Sequence, residues 1–309
     1  MVHVPVLLEE TVSWLATDPG GWYIDGTAGA GGHAAAILAA AGLDARLLAL
    51  DRDAEALALA RAALAPFAGR AILERANFSE MAEVAARHGI RGVKGILLDL
   101  GVSSMQLDVP SRGFSFMSAG PLDMRMDSRQ ELTAAALLKR LSPEELAAVL
   151  REYGEEPMAR RIARAVAEAL ARNEPLETTA QLAELVSRAK GGRRGRAHPA
   201  TQTFQALRIA VNGELAALEK ALPAALDLLA PGGRLAVISF HSLEDRRVKQ
   251  FMAAHEGRME SLAKGGSRWS GQWPRARRMA RKPIGPSEEE MARNPRSRSA
   301  KLRVLERTE

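Results

Sequence analysis

The chain has 309 residues, 47% of them hydrophobic, enough to bury one large core and a second, smaller one. It contains no cysteine, which excludes disulfides, thiolate metal sites and thiol nucleophiles together; a heat-adapted organism that avoids a labile side chain accounts for the same absence. A net charge of +6 points to a polyanionic partner or to an ordinary arginine-rich solvated surface.

No run of about 18 uncharged apolar residues occurs, and Met1-Val2-His3-Val4-Pro5 carries no basic region ahead of an apolar stretch. Neither a spanning helix nor a signal peptide is therefore expected, and a cytosolic location follows. Over the first hundred residues short apolar runs alternate with helical patterns, the signature of parallel strands joined by crossover helices. Strands are expected at Trp22 to Asp25, Arg46 to Leu50, Ala71 to Leu73 and Gly95 to Leu98. Alanine-rich helices are expected at His33 to Ala41, closed by Gly42, at Ala54 to Ala65 and at Ser79 to His88. From about residue 105 to 210 the pattern turns helical, as in Pro143 to Leu150 and Met158 to Ala171, without a convincing strand. An inserted helical domain is expected over 105–211, splitting an α/β domain of residues 1–104 and 212–309. Alternation resumes with a helix from Glu214 to Leu229, a turn at Pro231-Gly232-Gly233 and a strand from Arg234 to Phe240. Residues 257–297, rich in Gly, Pro, Ser and Arg, read as a long loop before a last strand from Arg298 to Leu305. The expected fold class is α/β, a Rossmann-like sheet interrupted by an all-helical domain.

Asp25-Gly26-Thr27-Ala28-Gly29-Ala30-Gly31-Gly32-His33 lies between the first strand and its helix. Glycines at such a turn let the backbone approach a ligand, and the helix amino terminus offers free N–H groups. A dinucleotide site would have the spacing G-x-G-x-x-G with pyrophosphate over the helix dipole, and this turn lacks that spacing. It opens instead with Asp25, a carboxylate able to hold the amino group of a methionine moiety and unfavourable to a pyrophosphate. Asp51 ends the second strand about twenty residues beyond the glycines, where an acid accepts ribose hydroxyls; as part of Asp51-Arg52-Asp53 it also reads as a helix cap. Asn77-Phe78 follows the third strand and Asp99 ends the fourth, at the carboxyl edge where open α/β sheets bind ligands. An aromatic face and a carboxylate there suit an adenine ring and its amino group, although Phe78 reads equally as core.

Basic residues cluster at Arg188, Lys190, Arg193, Arg194 and Arg196, and again at Arg268, Arg275, Arg277, Arg278, Arg281 and Lys282, the second tract with Trp269 and Trp273. Cationic side chains beside indoles suit a single-stranded nucleic acid, by phosphate neutralisation and base stacking.

Several motifs together give the chain its resemblance. His3-Val4-Pro5-Val6-Leu7, the glycine turn, Asp99-Leu100-Gly101-Val102-Ser103-Ser104 with Gln106-Leu107-Asp108, Arg112-Gly113-Phe114-Ser115-Phe116, Pro121-Leu122-Asp123-Met124-Arg125-Met126-Asp127, His198-Pro199-Ala200-Thr201 and Ser239-Phe240-His241-Ser242-Leu243-Glu244-Asp245-Arg246 stand in this order. The chain resembles the ribosomal RNA small subunit methyltransferase H family, also called MraW, over nearly its whole length. The resemblance implies methylation of N4 of a cytosine in the decoding region of 16S rRNA, with S-adenosylmethionine as donor. It also implies cofactor contacts from Gly31, Gly32, His33, Asp51, Phe78, Asp99 and Gln106.

Residue chemistry narrows the reaction independently. Methylation at C5 of cytosine normally needs a cysteine thiolate to add at C6, and the chain has none. An exocyclic amine is already nucleophilic, so its methylation is mainly a matter of positioning, without a covalent enzyme–RNA intermediate. Asp99-Leu100-Gly101-Val102 departs from the Asp/Asn/Ser-Pro-Pro-aromatic motif of many amino-methyltransferases, which leaves the groups that hold the amine open. Asp123, Arg125, His198, Ser239 and His241 are the substrate-side candidates. Against them stand helix caps or buried hydrogen bonds for the histidines and a local ion pair for Asp123 with Arg125. The histidines and carboxylates lack short helical ligand spacing, so no catalytic metal is expected. An NAD-dependent oxidoreductase, a non-catalytic RNA-binding module and a DNA methyltransferase are the alternative functions.

Overall fold

The computed structural model describes residues 5–17, 19–192, 198–256, 258–261, 265–270 and 274–309, with backbone alone at 258–261 and 267–270. The chain divides into two compact units, Met1–Gly101 with Leu215–Glu309, and Val102–Glu214. The first is α/β. Helix α1 (Leu8–Leu15) leads into β1 (Gly21–Asp25), α2 (Gly32–Ala40), β2 (Ala45–Asp51), α3 (Ala54–Ala63), β3 (Ala71–Arg75), α4 (Met81–Arg87) and β4 (Val93–Asp99). The expected strands and crossover helices are present. Their ends differ from the expected ones by at most two residues, because pairing and caps rather than hydropathy set element limits.

The second unit is helical: α5 (Ser104–Asp108), α6 (Ala134–Arg140), α7 (Pro143–Gly154), α8 (Ala159–Ala171), α9 (Thr179–Lys190) and α10 (Thr201–Asn212). Its core gathers Leu146 and Leu150 of α7, Ile162 and Val166 of α8, Leu182 and Val186 of α9 and Phe204 and Leu207 of α10, the i, i+3 or i, i+4 apolar positions of each helix. Ser103, Thr133, Ser142 and Thr178 each cap a helix by accepting a first-turn N–H. The unit starts at Val102 and ends at Glu214 instead of 105 and 211, because Val102 packs on the helical core and Asn212 is tied to the Met124 carbonyl (2.7 Å) and the Met126 N–H (2.8 Å).

The α/β unit resumes with α11 (Glu214–Leu228), β5 (Leu229–Ser239), α12 (Ser242–Glu256), β6 (Arg258–Ser261), β7 (Ser267–Ser270), β8 (Ala276–Arg278), α13 (Glu288–Arg293) and β9 (Lys301–Arg307). Two expectations are corrected. Pro231-Gly232-Gly233 is no turn before a strand but an irregularity inside β5, whose pairing with β4 jumps from Val93↔Leu229 to Gly95↔Arg234. The expected loop 257–297 holds an antiparallel pair, β6 with β7, an added strand β8 and the short helix α13. Arginine-rich sequence hides β8, which is held by pairing with β9 and by Arg277 against Glu306 across the pair.

The main sheet has the order β3-β2-β1-β4-β5-β9-β8, parallel from β3 to β5 and antiparallel at β5–β9 and β9–β8. It is a Rossmann-like sheet of the class I methyltransferase type. Strand order reverses between β1 and β4, and at such a switch point the carboxyl ends of the strands open a crevice for ligand. Buried layers cover both faces, with Ile24, Leu48, Ile96 and Leu98 on one side and Tyr23, Leu47, Ala49 and Leu97 on the other. No helix among the described residues is long and apolar enough to cross a membrane.

Candidate active site

Parallel register places three carboxylates along the crevice. Asp25 of β1 lies opposite Ala49 of β2 and Leu97 of β4, so Asp51 and Asp99 stand two residues further on and on the same face of the sheet. Thr27 knots the row together: its N–H donates to Asp25 Oδ1 (3.0 Å) and its hydroxyl accepts the Asp99 N–H (2.6 Å). Asp51 Oδ2 accepts the Gly29 N–H and Oδ1 the Asp53 N–H, each at 2.8 Å, fixing the glycine turn against the end of β2. The helix-cap reading of Asp51 is answered by its neighbour, since Asp53 caps α3 by accepting the Glu55 N–H (3.0 Å).

The glycines serve the turn as much as any ligand. Gly31 has φ +84°, and a Cβ there would lie 3.0 Å from the Ala60 Cα of α3, while a Cβ on Gly32 would run into the Pro5 ring at 2.4 Å. Both let α2 start close against its neighbours. His33, in the first turn of α2, is buried; its Nε2 is 3.1 Å from the Val6 carbonyl and its Nδ1 3.6 Å from Asp99 Oδ2. Phe78 is buried in the core with Leu98 and Leu100, its Cβ against the position a Gly26 side chain would take.

Electrostatically the row is poor in counter-charge: the Arg52 cation lowers Asp51 a little, and no cation does so for Asp25 or Asp99. Burial, followed by the charge of Asp51, pushes Asp25 up to about 7 against its hydrogen bonds from Thr27. Burial also raises Asp51, and it raises Asp99 well above the usual carboxylate range with help from Asp25 and Glu244. Asp25 Oδ2 and Asp99 Oδ1 are buried and accept no hydrogen bond within the described protein. Buried acceptors without donors, in a crevice of like charge, favour a ligand that brings cations and hydroxyl or amine donors. S-adenosylmethionine fits: it carries an ammonium, a sulfonium and a ribose diol, and no phosphate. A dinucleotide's pyrophosphate does not fit beside three carboxylates.

The remaining candidates have local partners. Ser239, at the end of β5, is buried with its hydroxyl 3.4 Å from the Lys301 carbonyl. His241 Nδ1 accepts the Glu244 N–H (3.4 Å), and Nε2 lies 3.2 Å from Glu244 Oε1, while the other oxygen of Glu244 accepts the Phe240 N–H (2.9 Å). In the helical unit, Gln106 closes a capping box with Ser103. Arg125 grips Asp123 with two side-chain hydrogen bonds (2.8 and 2.7 Å) and reaches the Gln130 carbonyl. Burial raises the Asp123 pKa, but the Arg125 bonds and charge outweigh it and hold the acid below its ordinary value. His198 Nδ1 accepts the Ala200 N–H (3.2 Å), and its ring stacks on Phe116 at 4.5 Å. Both histidines therefore meet helix-start N–H groups, as their structural alternative anticipates. Thr27 and Glu244 escaped sequence reading, although both lie inside quoted motifs; their work is hydrogen bonding to backbone, which leaves no spacing signal.

The basic tracts differ from their linear appearance. Arg275 pairs with Asp227, Arg277 with Glu306 and Arg278 with Glu256, and Lys190 with Glu156 (2.8 Å). Arg193, Arg194, Arg196 and Trp273 lie outside the described residues, as do the side chains of Arg268 and Trp269.

Known proteins similar to this chain match it over nearly its whole length. Three relatives called ribosomal RNA small subunit methyltransferase H are each 50% identical to the chain: one from Symbiobacterium thermophilum covering 98% of the chain and 96% of its own length, one from Thermomicrobium roseum covering 99% and 93%, and one from Oleidesulfovibrio alaskensis covering 99% and 95%. The model of the MraW methylase family matches residues 1–308. The chain belongs to the MraW methylase family, a class I methyltransferase with S-adenosylmethionine as its methyl donor.

Proposed function

We propose that the chain methylates N4 of a cytosine in the decoding region of 16S rRNA, within the small ribosomal subunit, by direct transfer. The observation that carries the methyl-transfer part is the row Asp25, Asp51 and Asp99 with its orphaned buried oxygens at the sheet's switch point. The names of the relatives support an rRNA substrate. The absence of cysteine supports attack by an amine nitrogen, because addition at C6 would lack its thiolate.

When bound, the cofactor supplies an electrophilic methyl group on a cationic sulfur. Asp25 receives the ammonium, Asp51 the ribose hydroxyls, and Asp99 with the edge of Phe78 the adenine. His33, held by the Val6 carbonyl beside Asp99, lines the same turn, and Gly31 and Gly32 set its shape. The helical unit serves as the substrate-recognition domain. On the substrate side, Ser239 and His241, and Asp123, Arg125 and His198, position the nucleotide through the groups left after their local bonds.

Nucleoside mass spectrometry of 16S rRNA and of assembled subunits treated with enzyme and S-adenosylmethionine tests the reading. The expected product is N4-methylcytosine, and RNA bearing 5-fluorocytosine should yield no covalent adduct. A methyl group on C5, a trapped adduct, or methylation of DNA instead of RNA would overturn it.

A further inference from the structure

Helices α7 and α8 form a groove of about 440 Å³ on the helical unit. Arg151 of α7 and Arg160 and Arg164 of α8 line it, with Glu144 and Glu168. All three arginines are exposed, and none has an ion pair or hydrogen bond among the described residues. Elsewhere in the same unit Arg125, Arg129, Arg172 and Arg208 are each held by a carboxylate at 2.7 to 2.8 Å.

Arg151 lies in the last turn of α7, where the helix dipole favours a cation, but the arginines at the start of α8 are placed against their own helix. Arg160 and Arg164 are one turn apart and repel each other along α8. Arg160 and Arg161 also occupy the first turn of α8, near the positive end of its dipole, where no acidic residue compensates them. Charge placed against helix stability, in a groove, without internal partners, calls for an external anion. The groove is open and its guanidinium groups are spread over two helices, which suits a chain of phosphates better than one small anion.

We propose that the α7–α8 groove binds the phosphate backbone of the RNA substrate. The inference rests on the reading of rRNA as substrate and assigns the docking surface to residues outside both linear basic tracts. Arg151, Arg160 and Arg164 contact phosphates and position the RNA without reading its sequence.

The test measures binding to naked 16S rRNA and to assembled small subunits over a salt series, for the wild type, the triple variant Arg151→Gln, Arg160→Gln, Arg164→Gln and the corresponding triple lysine variant. Three lost contacts at about 0.7 each should flatten the plot of log affinity against log salt by roughly 2 in the glutamine variant. Its KM for RNA should rise about tenfold or more, with kcat, S-adenosylmethionine affinity and the circular dichroism spectrum unchanged. Lysine should restore the slope, because it keeps the charge. The double variant Glu144→Gln, Glu168→Gln should tighten RNA binding. An unchanged slope and KM in the folded glutamine variant would overturn the groove assignment alone. Loss of affinity for assembled subunits with full affinity for naked rRNA would overturn it in favour of an acidic protein surface. A wild type without salt-dependent rRNA binding would remove the substrate reading and the groove together.

Discussion

In the α/β unit, Asp25, Asp51 and Asp99 are withdrawn from water beside one another, with two oxygens left unbonded. In the helical unit the buried acids Asp127, Glu156 and Glu214 are each matched by a cation, Arg129, Lys190 and Arg208, and Glu156 also accepts the Met158 N–H; the exposed arginines Arg151, Arg160 and Arg164 of the same unit lack such partners among the described residues. The contrast teaches that missing counter-charge has different meanings by depth. Buried and uncompensated, it raises carboxylate pKa values and marks a crevice for a small cationic ligand. Exposed and uncompensated, it costs little and marks a surface for a polyanion.

The largest effect is expected from unpairing Glu156, the most deeply buried of the matched acids. Glu156→Ala would strand Lys190, which also donates to the Pro199 carbonyl at 3.0 Å, and should destabilise the protein by about 3 to 5 kcal/mol. Thermal unfolding checks it; a loss under about 1 kcal/mol would mean that the pair is as weak as a surface one.

Asp99→Asn should behave in the opposite sense. Removing a charge-assisted contact should weaken S-adenosylmethionine binding by about 1.5 to 3 kcal/mol, or roughly ten- to a hundredfold, by calorimetric titration. The same substitution should raise the melting temperature of the ligand-free protein, because it removes an acid whose ionised form is disfavoured by burial and by the charges of Asp25 and Glu244. The sign follows from the raised pKa values. Between the unfolded value near 3.8 and the folded value of about 7 for Asp25, the folded state holds a proton that the unfolded state has released, so this contribution to stability falls as pH rises through that window. The slope is roughly 1.4 kcal/mol per pH unit for one such group. Cofactor affinity should run the other way and strengthen as pH rises through 7, since the cation favours ionised Asp25. Affinity flat from pH 6 to 8, with a variant no more stable than wild type, would show that the carboxylates are already compensated.

The smallest effect is expected at Arg275→Gln, where both Arg275 and Asp227 are exposed. Stability should change by about 0 to 1 kcal/mol, and the salt slope for RNA should stay within error of wild type, in contrast to the groove variant. A flattened slope here would return the second basic tract to the RNA interface.

The sequence by itself determined the alternating order of strands and helices, the helical interruption, the glycine turn and the acids at strand ends, because hydrophobic period, glycine placement and chain order are local properties of the chain. It also determined, through the absence of cysteine, which chemistry is closed. Tertiary structure decided what depends on residues far apart. Register set Asp25 between Asp51 and Asp99 on one face, and Thr27 came to bond Asp99, 72 positions away in the chain. Folding brought Asp227, Glu256 and Glu306 to arginines that look uncompensated in a linear tract, while leaving Arg151, Arg160 and Arg164 free on two neighbouring helices. Ion pairing acts through space over a few ångströms, so the count of charges along a segment fixes neither which are matched nor which remain for a partner.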